Sequence, residues 1–419
     1  MNRLDIIDYL NEYKSFRPQL MDRELRVPLD TSFIISLIGP RRAGKSYYFF
    51  QLEREMQRPL YLNFEDSRLR NIAYGEIRDI IRIYIEEYGI APKVLLLDEV
   101  QNISGWDIAV RELSDLKQYR IFVTGSSSKM LSQEIATKLR GRTLSYIMLP
   151  FSFREFLRAK KVSTEHLTRD GEAIIKNALL EYMDLGGFPE VVLGLEKTKI
   201  LKEYSDLILF RDFIERHNIK NMQLARYIQE SIMQNFSKEI SSNSVFKKAK
   251  SLGIKVSNNT IYDYLEKLND TVSFFFLARF SEKAHERASW PKKVYLADTG
   301  LSKAYRFADD TGKLIENVAF LELLRRRNSS PLLEIYYVNN TSGEVDFAIK
   351  EGNRIRLLMQ VTYELNDDNR SREINPLVAA AARLHCDELL VLTWEQEGAI
   401  SEKGRKIRLL PLWKWLLGG

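Results

Sequence analysis

One octapeptide constrains this chain more than any other feature. The run Phe33-Ile-Ile-Ser-Leu-Ile38 is apolar and β-branched, which reads as a buried strand. It leads directly into Gly39-Pro40-Arg41-Arg42-Ala43-Gly44-Lys45-Ser46, a complete G-x-x-x-x-G-K-[ST], and Tyr47–Glu55 reads as a helix. Strand, glycine loop and helix in this order make a phosphate cradle. Backbone N–H groups between Gly39 and Tyr47 can wrap an anion at a helix N-terminus, where the helix dipole favours negative charge. Lys45 is expected to neutralise β- and γ-phosphates, and the Ser46 hydroxyl to hold Mg²⁺. ATP and Mg²⁺ are therefore the expected ligands.

The rest of a nucleotide site follows at plausible spacing. A second strand, Leu60–Phe64, precedes Val94-Leu-Leu-Leu-Asp98-Glu99, an apolar run ending in two carboxylates. Asp98 is expected to orient Mg²⁺ through its water shell and Glu99 to polarise the attacking water. A further strand, Arg120–Thr124, opens into a serine-rich turn. Ser126 is the expected sensor of the γ-phosphate, with Thr124 second, although small polar residues also simply make turns. Before the strand Leu144–Leu149 lies Leu139-Arg140-Gly141-Arg142. Arg142, or failing it Arg140, is the candidate to reach a neighbouring subunit's γ-phosphate, against the plainer reading of a surface salt bridge.

The segments GPRRAGKS, YLNFED, LLLDEVQNISGW, FVTGSSSKML, LRGR and LPFSFREFL resemble prokaryotic, largely archaeal AAA+-type ATPases that carry a C-terminal domain of unknown function. LGGFPEVV, RDFIERHNIKN, VYLADTGL, IENVAFLELLRR and GEVDFAI are similar to that family's C-terminal half. The resemblance implies an α/β chain in four parts. These are a P-loop NTPase core with a parallel sheet of the additional-strand glutamate type (1–150), a helical lid (151–220), a winged helix-turn-helix (221–290) and a nuclease-like α/β domain (291–419).

The middle of the chain supports that division. Asn221 is a candidate N-cap for a helix Met222–Phe236. A second helix, Ser244–Leu252, ends at Gly253, and Ser257 starts a third carrying Ile261, Tyr264, Leu265 and Leu268 on one face. A β-rich stretch, Val272–Phe280, comes next. The third helix would offer Asn258, Asn259, Thr260, Tyr262 and Lys267 to a groove, with Lys255 near a phosphate. The formal net charge is +6, and Ser237–Lys293 alone holds eleven basic residues against six acidic ones. A polyanion is a plausible partner there, as is a merely solvated lysine-rich face.

At the C-terminal end, Glu316 lies in an expected helix Leu314–Arg327, ahead of three expected strands: Ile335–Val338, Gly343–Ile349 and Leu357–Thr362. Restriction-endonuclease-like folds set a helix glutamate, a strand aspartate and an E/Q-x-K group around metal ions. Here Glu316, Asp346 and Gln360 take the ligand positions, but Thr362 stands where the lysine belongs, so cleavage is not expected. Arg325–Arg327 reads equally as a phosphate contact or a solvated helix end, and Trp413 and Trp415 read as packing.

No apolar run reaches the roughly 18 residues a membrane helix needs, and the N-terminus lacks a signal peptide's apolar core. The lone Cys386 excludes an intramolecular disulfide. A cytoplasmic location is expected, with no membrane partner. The expected function is Mg²⁺-dependent ATP hydrolysis coupled to DNA translocation or remodelling, in a homo-oligomer. The alternatives are a nucleotide-switched interaction protein and an ATP-gated nuclease.

Overall fold

The computed structural model describes residues 2–126, 138–165, 168–306 and 310–418, which form two compact units, 1–148 and 149–419. In the first, β1 (Ile34–Ile38), β2 (Pro59–Asn63), β3 (Val94–Asp98), β4 (Arg120–Gly125) and β5 (Thr143–Ile147) make a wholly parallel sheet in the order β2-β3-β4-β1-β5. Every residue of β1 and β3 is buried, as expected of strands covered on both faces. Helices Lys45–Glu53, Glu76–Tyr88 and Trp106–Asp115 connect the strands. Leu37 is in register with Thr124 and Leu97 with Val123, so the loops after β1, β3 and β4 leave the sheet along one carboxyl edge. Ligands bind at that edge in open α/β sheets.

The second unit begins with helices Phe153–Ala159, Arg169–Leu185, Pro189–Leu193 and Lys197–Leu207, the last continuing as a π-helix over Ile208–Glu215. The break at Gly186 is specified by a buried carboxylate. Asp298 accepts the N–H groups of Gly187 (2.6 Å) and Gly300 (2.9 Å), and a Cβ on Gly186 (φ 77°) would sit 1.6 Å from Asp298 Oδ1. Burial pushes the Asp298 carboxyl up to about 7 even though these N–H groups favour its charged form.

Next come helix Met222–Gln234, β6 (Lys238–Ile240), helices Ser242–Ser251 and Asn258–Asn269, β7 (Phe274–Ala278) and β8 (Lys292–Leu296). Asn221, Ser241 and Ser257 cap the three helices with their side chains. The second of these helices starts two residues before the expected Ser244, because Ser241 rather than Ser244 is its cap. The three strands form an antiparallel sheet, β6-β8-β7, whose middle strand lies beyond residue 290.

The remaining sheet runs β13 (Gly398–Glu402), β14 (Arg405–Pro411), β12 (Glu388–Thr393), β11 (Arg354–Val361), β10 (Gly343–Glu351), β9 (Leu333–Asn340). Its centre, β11-β12-β14, is parallel and its flanks are antiparallel. Helix Asp367–Leu384 covers one face through Ile374, Leu377 and Ala381, against Val345, Leu358 and Val391. Within the arginine run Arg325 and Arg326 are packed, and only Arg327 is exposed. Arg325 donates to the carbonyls of Pro150 (2.9 Å) and Phe151 (3.1 Å), and Arg326 lies over the Trp415 ring. Trp413 and Trp415 are buried.

Candidate nucleotide-binding site

The turn after β1 is built for close approach. A Cβ on Gly39 would stand 1.9 Å from the Met148 carbonyl oxygen, so only glycine fits there. Arg42 (φ 65°) and Gly44 (φ 93°) take left-handed conformations that curl the loop over the first turn of helix Lys45–Glu53. Tyr47 points outward, 53% exposed, with its ring edge-on to Phe50. The loop is braced from outside by Arg23, whose guanidinium donates to the Ala43 carbonyl at 2.7 Å and whose own N–H meets Gln51 Oε1 at 2.8 Å. Arg41 is ion-paired with Glu65 at 2.8 Å.

Lys45 is buried. Its ammonium donates to the carbonyls of Gly39 (3.0 Å) and Pro40 (3.1 Å) and lies 3.4 Å from Glu99 Oε1. Asp98, fully buried at the end of β3, accepts from Tyr61 Oη (2.8 Å), from Thr124 Oγ1 and from the Ser46 hydroxyl. Burial, then the neighbouring Glu99 charge, raises the Asp98 carboxyl above its ordinary value. Burial would raise Glu99 too, but the cations Lys45 and Arg41 prevail and hold it lower. Two adjacent carboxylates are thus pushed apart in acidity: the cations keep Glu99 in the charged form that can accept a proton, while hydrogen bonds from Ser46, Thr124 and Tyr61 only partly offset burial at Asp98.

Glu99 owes its direction to backbone geometry. It sits at φ 53° with its N–H on Thr124 Oγ1 at 2.9 Å, so it turns off the strand line that Asp98 follows. Its carboxylate accepts from the Gln101 amide, which also reaches Ser126 Oγ at 3.5 Å. The Gln101 Oε1 atom is buried with no hydrogen-bond partner, a free acceptor next to Glu99 and Ser126. The donor set fits a nucleotide with Mg²⁺: a hydroxyl and a carboxylate for a hard cation, and a lysine that now rests on the carbonyls of its own loop.

The expected residues are therefore largely brought together: Gly39 to Ser46, Asp98, Glu99 and Ser126. Thr124, the second-ranked sensor, is the one that touches Asp98 and Glu99. Ser127 and Ser128 lie outside the described residues. Arg142 stands apart from this set, 40% exposed and 2.5 Å from Asp115. Tyr61, Arg23 and Gln101 were not expected. Only Gln101 left a trace in sequence, two positions beyond the paired acids.

In the second unit, Glu316 and Asp346 do meet, but around an ammonium. Lys293 Nζ lies 2.7 Å from Glu316, 2.7 Å from Glu344 and 2.9 Å from Asp346, and its side chain is 2% exposed. Lys293 is thus removed from the basic face counted over Ser237–Lys293. Lys267 is paired with Asp263 and Lys283 with Glu286, while Lys247, Lys248, Lys250 and Lys255 stay exposed. Gln360 is bonded to Glu373 (2.7 Å) and to the Asp346 N–H (3.3 Å), and Thr362 to the Glu364 carbonyl.

A family model described as an AAA domain matches residues 31–157, and one described as a domain of unknown function (DUF8612) matches 176–311. The uncharacterized protein MJ1544 of Methanocaldococcus jannaschii is 37% identical over 425 residues, covering 98% of this chain and 94% of that protein. An uncharacterized protein of Haemophilus influenzae is 28% identical over 358 residues, covering 82% of this chain and 86% of that protein. Among solved structures, Cdc6p from Pyrobaculum aerophilum aligns with a TM-score of 0.27 at 11% identity, over 58% of this chain and 80% of that one. AMPPCP-bound DnaA from Aquifex aeolicus aligns with a TM-score of 0.25 at 15% identity, over 55% and 80%.

Proposed function

The chain belongs to the same protein family as MJ1544 of Methanocaldococcus jannaschii and carries an AAA domain, and from that premise we propose that it is an Mg²⁺-dependent ATPase that engages DNA. The observation that carries the hydrolytic part is the convergence of Lys45, Ser46, Asp98, Glu99 and Thr124 at one edge of the parallel sheet. Ser46 and Asp98 would hold Mg²⁺, which neutralises charge building on the phosphates. Lys45 binds the β- and γ-phosphates. Glu99, turned off the strand and held in place by Gln101, orients water and accepts its proton.

The DNA part is supported by the order helix, strand, helix, helix, strand, short helix Ala284–Ser289, strand over 222–296, with the last two strands antiparallel, an order compatible with a winged helix-turn-helix. Asn259 and Tyr262 on the third helix are exposed, close in sequence to the exposed Lys247, Lys248, Lys250 and Lys255. The test is steady-state hydrolysis with no DNA and with single-stranded, duplex and four-way junction DNA across a salt series. Stimulation by one form is expected, weakening as salt rises. Replacing those four lysines with alanine is expected to flatten the log–log salt dependence by about 3 to 4. Hydrolysis indifferent to every DNA would shift the reading to a nucleotide-switched interaction protein.

Arg142 at the edge of β5 is the proposed finger for a neighbouring subunit. Arg142→Ala is expected to lose hydrolysis while keeping ATP binding, and a mixture with Glu99→Gln to recover part of the rate. Mixtures no faster than the sum of the two variants would remove the action in trans, and with it this argument for an oligomer. No described helix is long and apolar enough to cross a membrane.

A further inference from the structure

The C-terminal sheet gathers three acids where a nuclease-like fold would place a divalent cation: Glu316 on helix Thr311–Ser329, and Glu344 and Asp346 two positions apart on β10. The residues present do not fit a metal. Among the described residues no group of three or more His, Cys, Asp or Glu is disposed to hold one. The point where the three carboxylates converge is filled by Lys293 from β8, 2.7, 2.7 and 2.9 Å from them. The ammonium donates to Glu316 and Asp346 and is ion-paired with Glu344 as well.

The lysine is delivered by a rigid strand. Asn317 takes both backbone groups of Leu296, accepting its N–H at 2.9 Å and donating to its carbonyl at 3.0 Å. Tyr295 stacks on Phe320 with ring centroids 4.1 Å apart. Lys293 and Tyr295, two residues apart on β8, share a face, and Tyr295 Oη donates to the same Glu316 oxygen at 2.6 Å. The second oxygen of Asp346 accepts the Val361 N–H at 2.9 Å. Gln360, the residue expected as third ligand, is already committed to Glu373.

We propose that the Lys293 ammonium replaces the divalent cation of this carboxylate centre, so that the C-terminal domain is a metal-free ion-pair hub tying β8 of the three-stranded sheet to β10 of the six-stranded one. The expectation of a metal rests on the nuclease-like reading of this sheet; the hub itself rests on the distances. One ammonium against three carboxylates leaves an excess of negative charge, and neutral donors meet part of it: Tyr295 Oη on Glu316 and the Val361 N–H on Asp346.

The test uses the full chain, free of nucleotide, with Mn²⁺ as probe, read by isothermal titration calorimetry and by the shift in melting temperature. The unsubstituted protein is expected to show no Mn²⁺ response that Asp346→Asn abolishes. Lys293→Met is expected to gain one Mn²⁺ site, with a melting point about 5 °C or more higher at a hundred times Kd, and to lose that gain on adding Asp346→Asn. An Asp346-dependent Mn²⁺ site in the unsubstituted protein overturns the proposal and leaves the nuclease-like reading standing. That arm needs no variant at position 293 to fold. Absence of Mn²⁺ binding in both proteins overturns the proposal together with the metal expectation behind it.

Discussion

Lys45→Ala is expected to reduce ATP turnover by about 100- to 1000-fold, the cost of removing a preorganised charge from a site that stabilises transferring phosphate. The structure makes the effect twofold. Lys45 is the cation for the phosphates, and it is also a positive charge 3.4 Å from Glu99. Without it, burial pushes the Glu99 carboxyl upward, against its role as proton acceptor. Glu99→Gln separates the two effects. It keeps Lys45 on the loop carbonyls and should bind ATP at least as well as the parent, yet hydrolyse it about 100-fold more slowly or worse. Phosphate release and fluorescent-nucleotide binding, measured on both variants, check this. A Lys45→Ala protein that keeps more than a tenth of parental turnover would place hydrolysis elsewhere.

What the sequence reveals about this site is set by how local the signal is. The cradle is one unbroken segment whose glycines, lysine and serine act on their own neighbourhood, so Gly39 to Ser46 could be read off directly. Asp98 and Glu99 were legible because a buried parallel strand is an apolar run and its last residues stand at the sheet's carboxyl edge. Tyr61 and Arg23 were not. Tyr61 meets Asp98 from 37 positions away and Arg23 meets Ala43 from 20, and each is an ordinary residue in its own segment. Strand register adds what the sequence does not show about Thr124: it is opposite Leu37 in β1, and its hydroxyl accepts the Glu99 N–H and donates to Asp98, while Ser126 is reached by the Gln101 amide.

The same locality explains Lys293. Counted along the chain it was one more surface charge, and its hydrogen-bond partners Glu316 and Asp346 lie 23 and 53 residues further on, with Glu344 two residues before the second. The hint lay in the strand itself, where Lys293 alternates with Val294 and shares its face with Tyr295, whose neighbours are all buried. A lysine on the inner face of a strand must find carboxylates.

Its removal is therefore expected to be the costliest single change for folding in the second unit. Lys293→Met leaves three carboxylates facing one another without a counter-charge, which typically costs about 3–5 kcal/mol. The deficit should depend on pH. Burial already raises Glu316 to about 8, well above the roughly 4.3 of an unfolded glutamate. The folded state thus binds the extra proton, so the contribution of Glu316 to stability is full below about pH 4 and is lost as pH rises toward 8. Taking away the ammonium raises Glu316 and Glu344 further, so the gap between parent and variant should be narrow near pH 5 and widest above pH 8. Urea midpoints at the two pH values measure it. Adding Glu316→Gln and Asp346→Asn to Lys293→Met removes the repulsion as well as the cation, and should return most of the lost stability at pH 8. A gap that does not change with pH, or a triple variant no better than the single one, would mean that Lys293 acts by filling space rather than by its charge.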